Sequence, residues 1–334
     1  MTESAGGNPD FNGKNVLVTG GLGFIGSNLA RECLERGADV TVYDCLDPRA
    51  GGNMENTAGF KDDLQIHLND LRNFEAVSSA VVGQDFVFNC AAYTSHPNSM
   101  KEPLIDIDVN CKGTINVLEA ARRFNSEAKI VHVGTSTQIG RMQSSPIDES
   151  HPEFPVDIYS ANKAASENYV LIYGHAYGMS TTVVRFANVF GPRSNISSPD
   201  FGFMNFFIGL ALQGKPITVF GEGTQLRTVS YVEDCVAALL MAAGSDSANG
   251  EVFFAVGDRQ HSVAEIAREI TENVGGDLRF IDWPKDREVI EIGDAVISNA
   301  KIRDRLGWAP RVELAAGLVD TGEYFRPRLA HYLG

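Results

Sequence analysis

Tyr159 and Lys163 stand four apart at the start of a helix-period segment, so their side chains share one face, one turn apart. A tyrosine that takes a hydroxyl proton near pH 7 needs its usual pKa, near 10, brought down close to neutrality, a difference of roughly 4 kcal/mol. A lysine one turn away supplies one of the positive charges that do this. Taken alone, the spacing equally describes an ordinary surface pair. Thr135 follows the β-rich run Lys129–Gly134. There a hydroxyl can bond a substrate oxygen and share its proton with Tyr159; the alternative is an ST-turn or helix cap. Asn110 lies inside the helical segment Leu104–Phe124, where it could hold a kinked turn and a water that orients Lys163.

The glycines point to a second positive charge. Gly20-Gly21-Leu22-Gly23-Phe24-Ile25-Gly26 follows the run Asn15–Thr19 and opens a helix. Gly20 and Gly23 let backbone approach a pyrophosphate. The helix N-terminus at Phe24 and Ile25 offers free N–H groups, and Gly26 permits close packing on the strand. Asp44 ends the second strand, where it can accept both ribose hydroxyls and repel a 2′-phosphate. NAD is therefore the expected dinucleotide, its oxidised nicotinamide adding to the charge near Tyr159; Arg49 leaves NADP as the alternative. Asp70 and Leu71 follow the third strand, where the carboxylate reaches the adenine amino group or caps the segment Asn73–Val81. Ala91 and Ala92 end the fourth strand; small residues let the chain pass close to the cofactor, or simply pack tightly.

These residues need a scaffold. Asn15–Thr19, Asp39–Tyr43, Leu64–Leu68, Asp85–Cys90, Lys129–Gly134 and Thr181–Phe186 are short β-rich runs. Helical segments Phe24–Arg36, Leu104–Phe124 and Tyr159–Tyr177 lie between them. This alternation predicts parallel βαβ units covered on both faces, an α/β fold with a Rossmann-type doubly wound sheet. After Phe186 come a loop at 191–202, a helix near Met204–Gln213, a strand Ile217–Phe220, a turn at 221–224 and a helix Glu233–Ala243. Glu251–Val256 reads as a further strand of the first sheet, and Ser262 with Glu265 as a capping box opening a helix. Last helices are expected near Asn299–Leu306 and Leu314–Leu333. The expected division is a polar tail, 1–12, a dinucleotide-binding domain, 13–187 with 229–257, and a smaller α/β substrate-binding domain, 188–228 with 258–334.

The 334 residues suit about two domains. A net charge of −15 argues against nucleic acid or an anionic membrane as partner. No apolar run approaches the roughly 18 residues that span a bilayer, and the first ten residues lack the pattern of a signal peptide. Five scattered cysteines, never spaced CxxC, read as reduced thiols of a cytoplasmic protein without a metal site.

The sequence resembles the extended short-chain dehydrogenase/reductase family in its nucleotide-sugar epimerase/dehydratase branch. The stretches that match, in order, are Thr19–Gly26, Val42–Asp44, Asn110–Ala121, Tyr159–Lys163, Arg185–Arg193, Val219–Asp234 and Leu306–Pro310. The resemblance implies a homodimer through the helices Leu104–Phe124 and Tyr159–Tyr177, bound NAD, a Thr135–Tyr159–Lys163 catalytic set with Asn110, and a nucleoside-diphosphate sugar between the domains. It places Thr94, Ser95, Thr135 and Ser136 at the sugar, Asn188 and Arg227 at the diphosphate, and Val219 and Phe220 at the nucleobase. The family's late diphosphate arginine is Glu291 here, with Arg287 the candidate in its place. Ile139 stands where the family usually has tyrosine, and Gly134 where it has serine.

Dehydratases of the family carry Asp-Glu directly after the catalytic threonine, to move a second proton. Here Ser136-Thr137 stand there, neither a base at neutral pH. Epimerisation, which needs no further acid or base, is the expected reaction; a 4,6-dehydratase or decarboxylase is the alternative, and a non-catalytic NAD-binding protein the more distant one.

Overall fold

The computed structural model describes residues 10–284 and 292–333. Its centre is a seven-stranded parallel sheet. The strands are β1 (Asn15–Thr19), β2 (Asp39–Asp44), β3 (Gln65–Leu68), β4 (Phe86–Asn89), β5 (Lys129–Thr135), β6 (Thr181–Phe186) and a seventh, Val252–Phe254. In space the seventh strand is followed by β6, β5, β4, β1, β2 and β3, all neighbours parallel. The order reverses between β1 and β4, which opens a crevice at their carboxyl ends.

Period-2 alternation sets the two cores. Val16 and Val18 face one side with Leu29, Val42 and Phe88, under the helices Phe24–Glu35 and Val232–Ala243. Leu17 faces the other with Tyr43, Val87 and Ile130, under Phe74–Val81, Gly113–Phe124 and Ile158–Tyr177. Both faces are dry, as a parallel sheet covered by crossover helices requires. A separate apolar cluster, with Met204, Ile208, Ile217, Ile266 and Leu318, lies among the later elements.

The predicted strands of this sheet end within two residues of those observed, and the Ser262–Glu265 capping box is present. Two expected helices are interrupted. Leu104–Phe124 contains a π-helical turn, Ile107–Lys112, between the α-helices Pro103–Asp106 and Gly113–Phe124. Leu314–Leu333 breaks after Phe325 at a 3₁₀ turn holding Pro327, whose missing N–H ends the ladder. The helix His96–Lys101 and the paired short strands Val189–Phe190 with Ser230–Tyr231 and Leu226–Thr228 with Gln260–Ser262 were not expected. Runs of two to six residues carry too little periodicity to read. Among the described residues no helix is long and apolar enough to cross a membrane.

Asp234 joins the C-terminal stretch to the sheet. Its carboxylate accepts the N–H groups of Arg311 (2.9 Å) and Val312 (3.2 Å), and its carbonyl accepts the Trp308 indole N–H at 3.0 Å. Asp234→Ala leaves two backbone donors without their acceptor, at a cost of roughly 1–3 kcal/mol. Urea unfolding should show a lower midpoint with an unchanged slope; an unchanged midpoint contradicts the assignment.

Candidate active site

A cleft of about 570 Å³ opens at the carboxyl edge of the sheet. The turn after β1 forms one wall and leaves no room for side chains. Gly20 has φ +66°, and a Cβ there would stand 2.7 Å from Ala91 Cα. A Cβ on Gly26 would stand 2.2 Å from the Gly20 carbonyl oxygen. A Cβ on Gly23 would meet only that oxygen, at 3.1 Å. The helix from Phe24 has no side-chain cap and no acidic residue in its first turn. Its N–H groups and positive end are therefore available, which fits a pyrophosphate.

Asp44 lines the cleft beside this turn. Burial pushes its pKa up, against the N–H groups of Leu22 (3.1 Å) and Leu46 (2.9 Å) that its two oxygens accept. Each oxygen keeps a lone pair for a ribose hydroxyl. Arg49 is gripped by Asp47 at 2.9 and 2.7 Å and does not line the cleft. Asp70 and Leu71 do line it, with Ala91 and Ala92. The Arg72 guanidinium holds the Asp70 carboxyl below its usual range, and the cap of the following helix is Asn73, not Asp70.

Tyr159 and Lys163 sit in the first turns of Ile158–Tyr177, a helix capped by Asp157 accepting the Ser160 N–H at 2.8 Å. Both are buried. Lys163 Nζ donates to the Val133 carbonyl at 2.7 Å and lies 3.1 Å from His132 Nε2; burial brings its pKa down to about 8. His132 is fully buried and held neutral by that burial and by the lysine's charge. A neutral ring accepts at one nitrogen only, and two donors face it: the Lys163 ammonium at Nε2 and the Asn89 amide, 3.0 Å from Nδ1. Burial pushes the Tyr159 phenol up, and the Asp106 charge adds to this; only a hydrogen bond to Thr135 opposes them. Lys163 is thus bonded to Val133 and His132 of β5, while burial and the Asp106 charge set the phenol above its usual range.

Thr135 also lines the cleft and forms the alternative ST-turn, accepting the Thr137 N–H at 3.3 Å. Thr137 Oγ1 is tied to Thr135 Oγ1 (3.2 Å) and accepts from Ser160 Oγ (3.0 Å). Ser136 stays outside the cleft, its N–H bonded to the Phe186 carbonyl. Asn110 lies in the π-helical turn, buried, its amide bonded to both backbone groups of Tyr93 and to Asp106. The expected kinked turn is there; Asn110 itself does not line the cleft.

Of the expected substrate contacts, Thr94 and Asn188 line the cleft. Ser95 does not: it is 1% exposed and its hydroxyl caps the His96–Lys101 helix. Val219 is likewise 1% exposed, its side chain packed in the later core and outside this cleft. Phe220 packs against Trp283, and Arg227 donates to the carbonyls of Leu226 and Gly293, both away from this cleft. Arg287 and Glu291 lie outside the described residues.

Two residues that sequence reasoning missed belong here. His96 lines the cleft, its ring edge-on to Tyr159 with centroids 4.8 Å apart. Its Nδ1 is 2.8 Å from Asp157 Oδ2. Burial opposes ionisation of Asp157, but its hydrogen bonds from His96 and the Ser160 N–H outweigh it and hold the carboxyl below its usual range. Asp157 carried a readable cap signal, three residues before Ser160; nothing in the sequence joins it to His96.

Lys163 is more easily deprotonated folded than unfolded, so the unfolded chain binds the extra proton between about pH 8 and 10.5. Its burial cost is full below pH 8 and fades as pH rises through that window. Lys163→Met should be more stable than wild type at pH 7, on the order of 3 kcal/mol at most. The difference should shrink toward pH 10.5 in urea titrations; a pH-independent difference contradicts the assignment.

Residues 16–257 match the NAD dependent epimerase/dehydratase family. The chain is 31% identical over 308 residues to a putative UDP-glucose 4-epimerase of Methanocaldococcus jannaschii, covering 91% of this chain and 95% of that one. It is also 31% identical over 324 residues to a dTDP-glucose 4,6-dehydratase of Streptomyces niveus, covering 94% of each. Among solved structures it resembles the UDP-glucose 4-epimerase of Thermotoga maritima, crystallised with UDP-glucose, at 29% identity and a TM-score of 0.84, over 94% of this chain and 99% of that one. With the glycine turn, Asp44 and the buried Tyr159–Lys163 pair, these matches establish that the chain is an enzyme of the NAD-dependent epimerase/dehydratase family.

Proposed function

We propose that this enzyme interconverts C4 epimers of a nucleoside-diphosphate sugar, a UDP-sugar foremost. When bound along Gly20–Gly26 and Asp44, NAD supplies a reversible two-electron oxidation of the sugar carbon. Tyr159 takes the proton of the sugar hydroxyl and later returns it, with Thr135 hydrogen-bonded to both oxygens. With an oxidised cofactor bound, its cation would offset the burial that otherwise keeps the Tyr159 phenol protonated. Lys163, fixed by Val133 and His132, adds a charge that does not move during the reaction.

One observation carries the epimerase reading. The two positions after Thr135, where a dehydratase of this family has an acid and a base, are hydroxyl residues. Thr137 is spent on hydrogen bonds to Thr135 and Ser160, and Ser136 stands outside the cleft. An oxidised sugar that turns over and is reduced on its other face needs neither group. Asn188, in the cleft with its amide on the Thr228 carbonyl, and Arg227 are read as diphosphate contacts, and Phe220 as a nucleobase contact, the last two beyond this cleft. The separate apolar cores support the two-domain division with the sugar between them. Five unpaired cysteines fit a reducing, cytoplasmic location.

A homodimer is read from the helices flanking the cleft. Leu104 is 75% exposed, and Met100, Ile107, Phe124, Ile172 and Tyr177 are also exposed, apolar side chains that a partner subunit would cover.

Incubation with UDP-, dTDP-, GDP- and CDP-sugars should yield a product of the same mass as substrate, resolved by NMR, without accumulation of NADH. Tyr159→Phe should lower conversion at least about 100-fold while leaving NAD affinity nearly unchanged. A product lighter by one water indicates the dehydratase instead, and loss of carbon dioxide the decarboxylase. Light scattering at micromolar concentration should give twice the chain mass; a monomer contradicts the dimer.

A further inference from the structure

The cleft holds one acid–base pair that C4 epimerisation does not use. His96 begins the helix His96–Lys101, and its Nδ1 lies 2.8 Å from Asp157 Oδ2. The other Asp157 oxygen accepts the Ser160 N–H at 2.8 Å, so the carboxylate is fixed at the start of the helix that carries Tyr159. A carboxylate can only accept, so the proton sits on Nδ1 and Nε2 is left as the basic nitrogen. Nε2 has no hydrogen-bond partner among the described residues, while His96 lines the cleft. Ser99 Oγ accepts the Tyr159 N–H at 3.1 Å and donates to the His96 carbonyl at 2.8 Å. Ser99 thereby ties the backbone of His96 to that of Tyr159, and the two rings stand edge-on at 4.8 Å. An imidazole oriented by a carboxylate, its second nitrogen unbonded in a residue that lines a cleft, has the form of a general base.

We propose that His96 is a second acid–base residue of this site, exchanging the proton on the sugar carbon next to an oxidised carbonyl carbon. The assignment rests on the nucleotide-sugar reading above. Neutral Nε2 takes the proton as the C–H bond breaks. That electron pair forms a carbon–carbon double bond, and the carbonyl π pair moves onto oxygen, on the Tyr159 and Thr135 side. The imidazolium is balanced by Asp157 and returns a proton to the same carbon, restoring the ketone. No oxidant or reductant is consumed. The ligand class is thus a nucleoside-diphosphate keto sugar with an exchangeable hydrogen beside the carbonyl.

The test supplies the ketone ready-made, so that it does not depend on sugar oxidation. NAD-loaded enzyme is placed in D₂O with UDP- or dTDP-4-keto-6-deoxyglucose; binding is measured by calorimetry and deuterium at C3 and C5 by NMR. We expect binding and deuterium wash-in above the enzyme-free rate, at least about 100-fold slower in His96→Gln and restored to that variant by added imidazole. Asp157→Asn keeps a good helix cap but loses the carboxylate, so it should also slow exchange without unfolding the chain. Wild-type enzyme that binds the ketone without wash-in overturns the assignment, as does His96→Gln exchanging within a few-fold of wild type. If neither ketone binds, the nucleotide-sugar reading falls, and this assignment with it.

Discussion

The first turn of the sheet depends on two backbone approaches that admit no Cβ. The Gly26 Cα packs against the Gly20 carbonyl, and Gly20 against the backbone of Ala91 at the end of β4. Together they set how deeply the first helix enters the sheet edge, and so where its uncapped N–H groups stand. β1 and β4 are also the strands between which the order reverses. The cleft is therefore placed by backbone contact, and the side chains of Asp44, Thr135, Tyr159 and His96 decorate a location already fixed.

Around that location the protein buries charge and leaves it partly uncompensated. Lys163 is buried beside a neutral histidine, and the phenol of Tyr159 is held protonated by burial and by Asp106. The Tyr159 helix is locked to the sheet from behind, where buried Arg185 of β6 bonds Glu167 of that helix and also Glu153. Breaking one partner of such a pair is costly, so the lock resists shifts of the helix. In the proposed reaction the charge of a bound oxidised cofactor would add to that of Lys163 in drawing the proton from the phenol. Proton removal would then be coupled to the oxidised state of the cofactor.

The scaffold was legible because it repeats. Six β-rich runs with helical segments between them set the sheet, and the glycine spacing located its ligand edge. The Tyr159–Lys163 pair was legible because four-residue spacing is a local property. What the sequence did not show depends on contacts between distant segments. His96 and Asp157 are 61 residues apart, and Ser99 ties their two helix starts together. Ser95 looked like a sugar contact and is a helix cap, since a serine before a short helix has a nearer partner in Asn98 N–H. Val219 sits in a matching stretch, but strand alternation turns it into the core.

The central claim, that the sugar is oxidised and reduced at one carbon, is tested most directly with C4-deuterated UDP-glucose. The account predicts that the epimeric product keeps its deuterium at C4, with none lost to water. Deuterium recovered at C6 of a lighter product, or released to solvent, would contradict it.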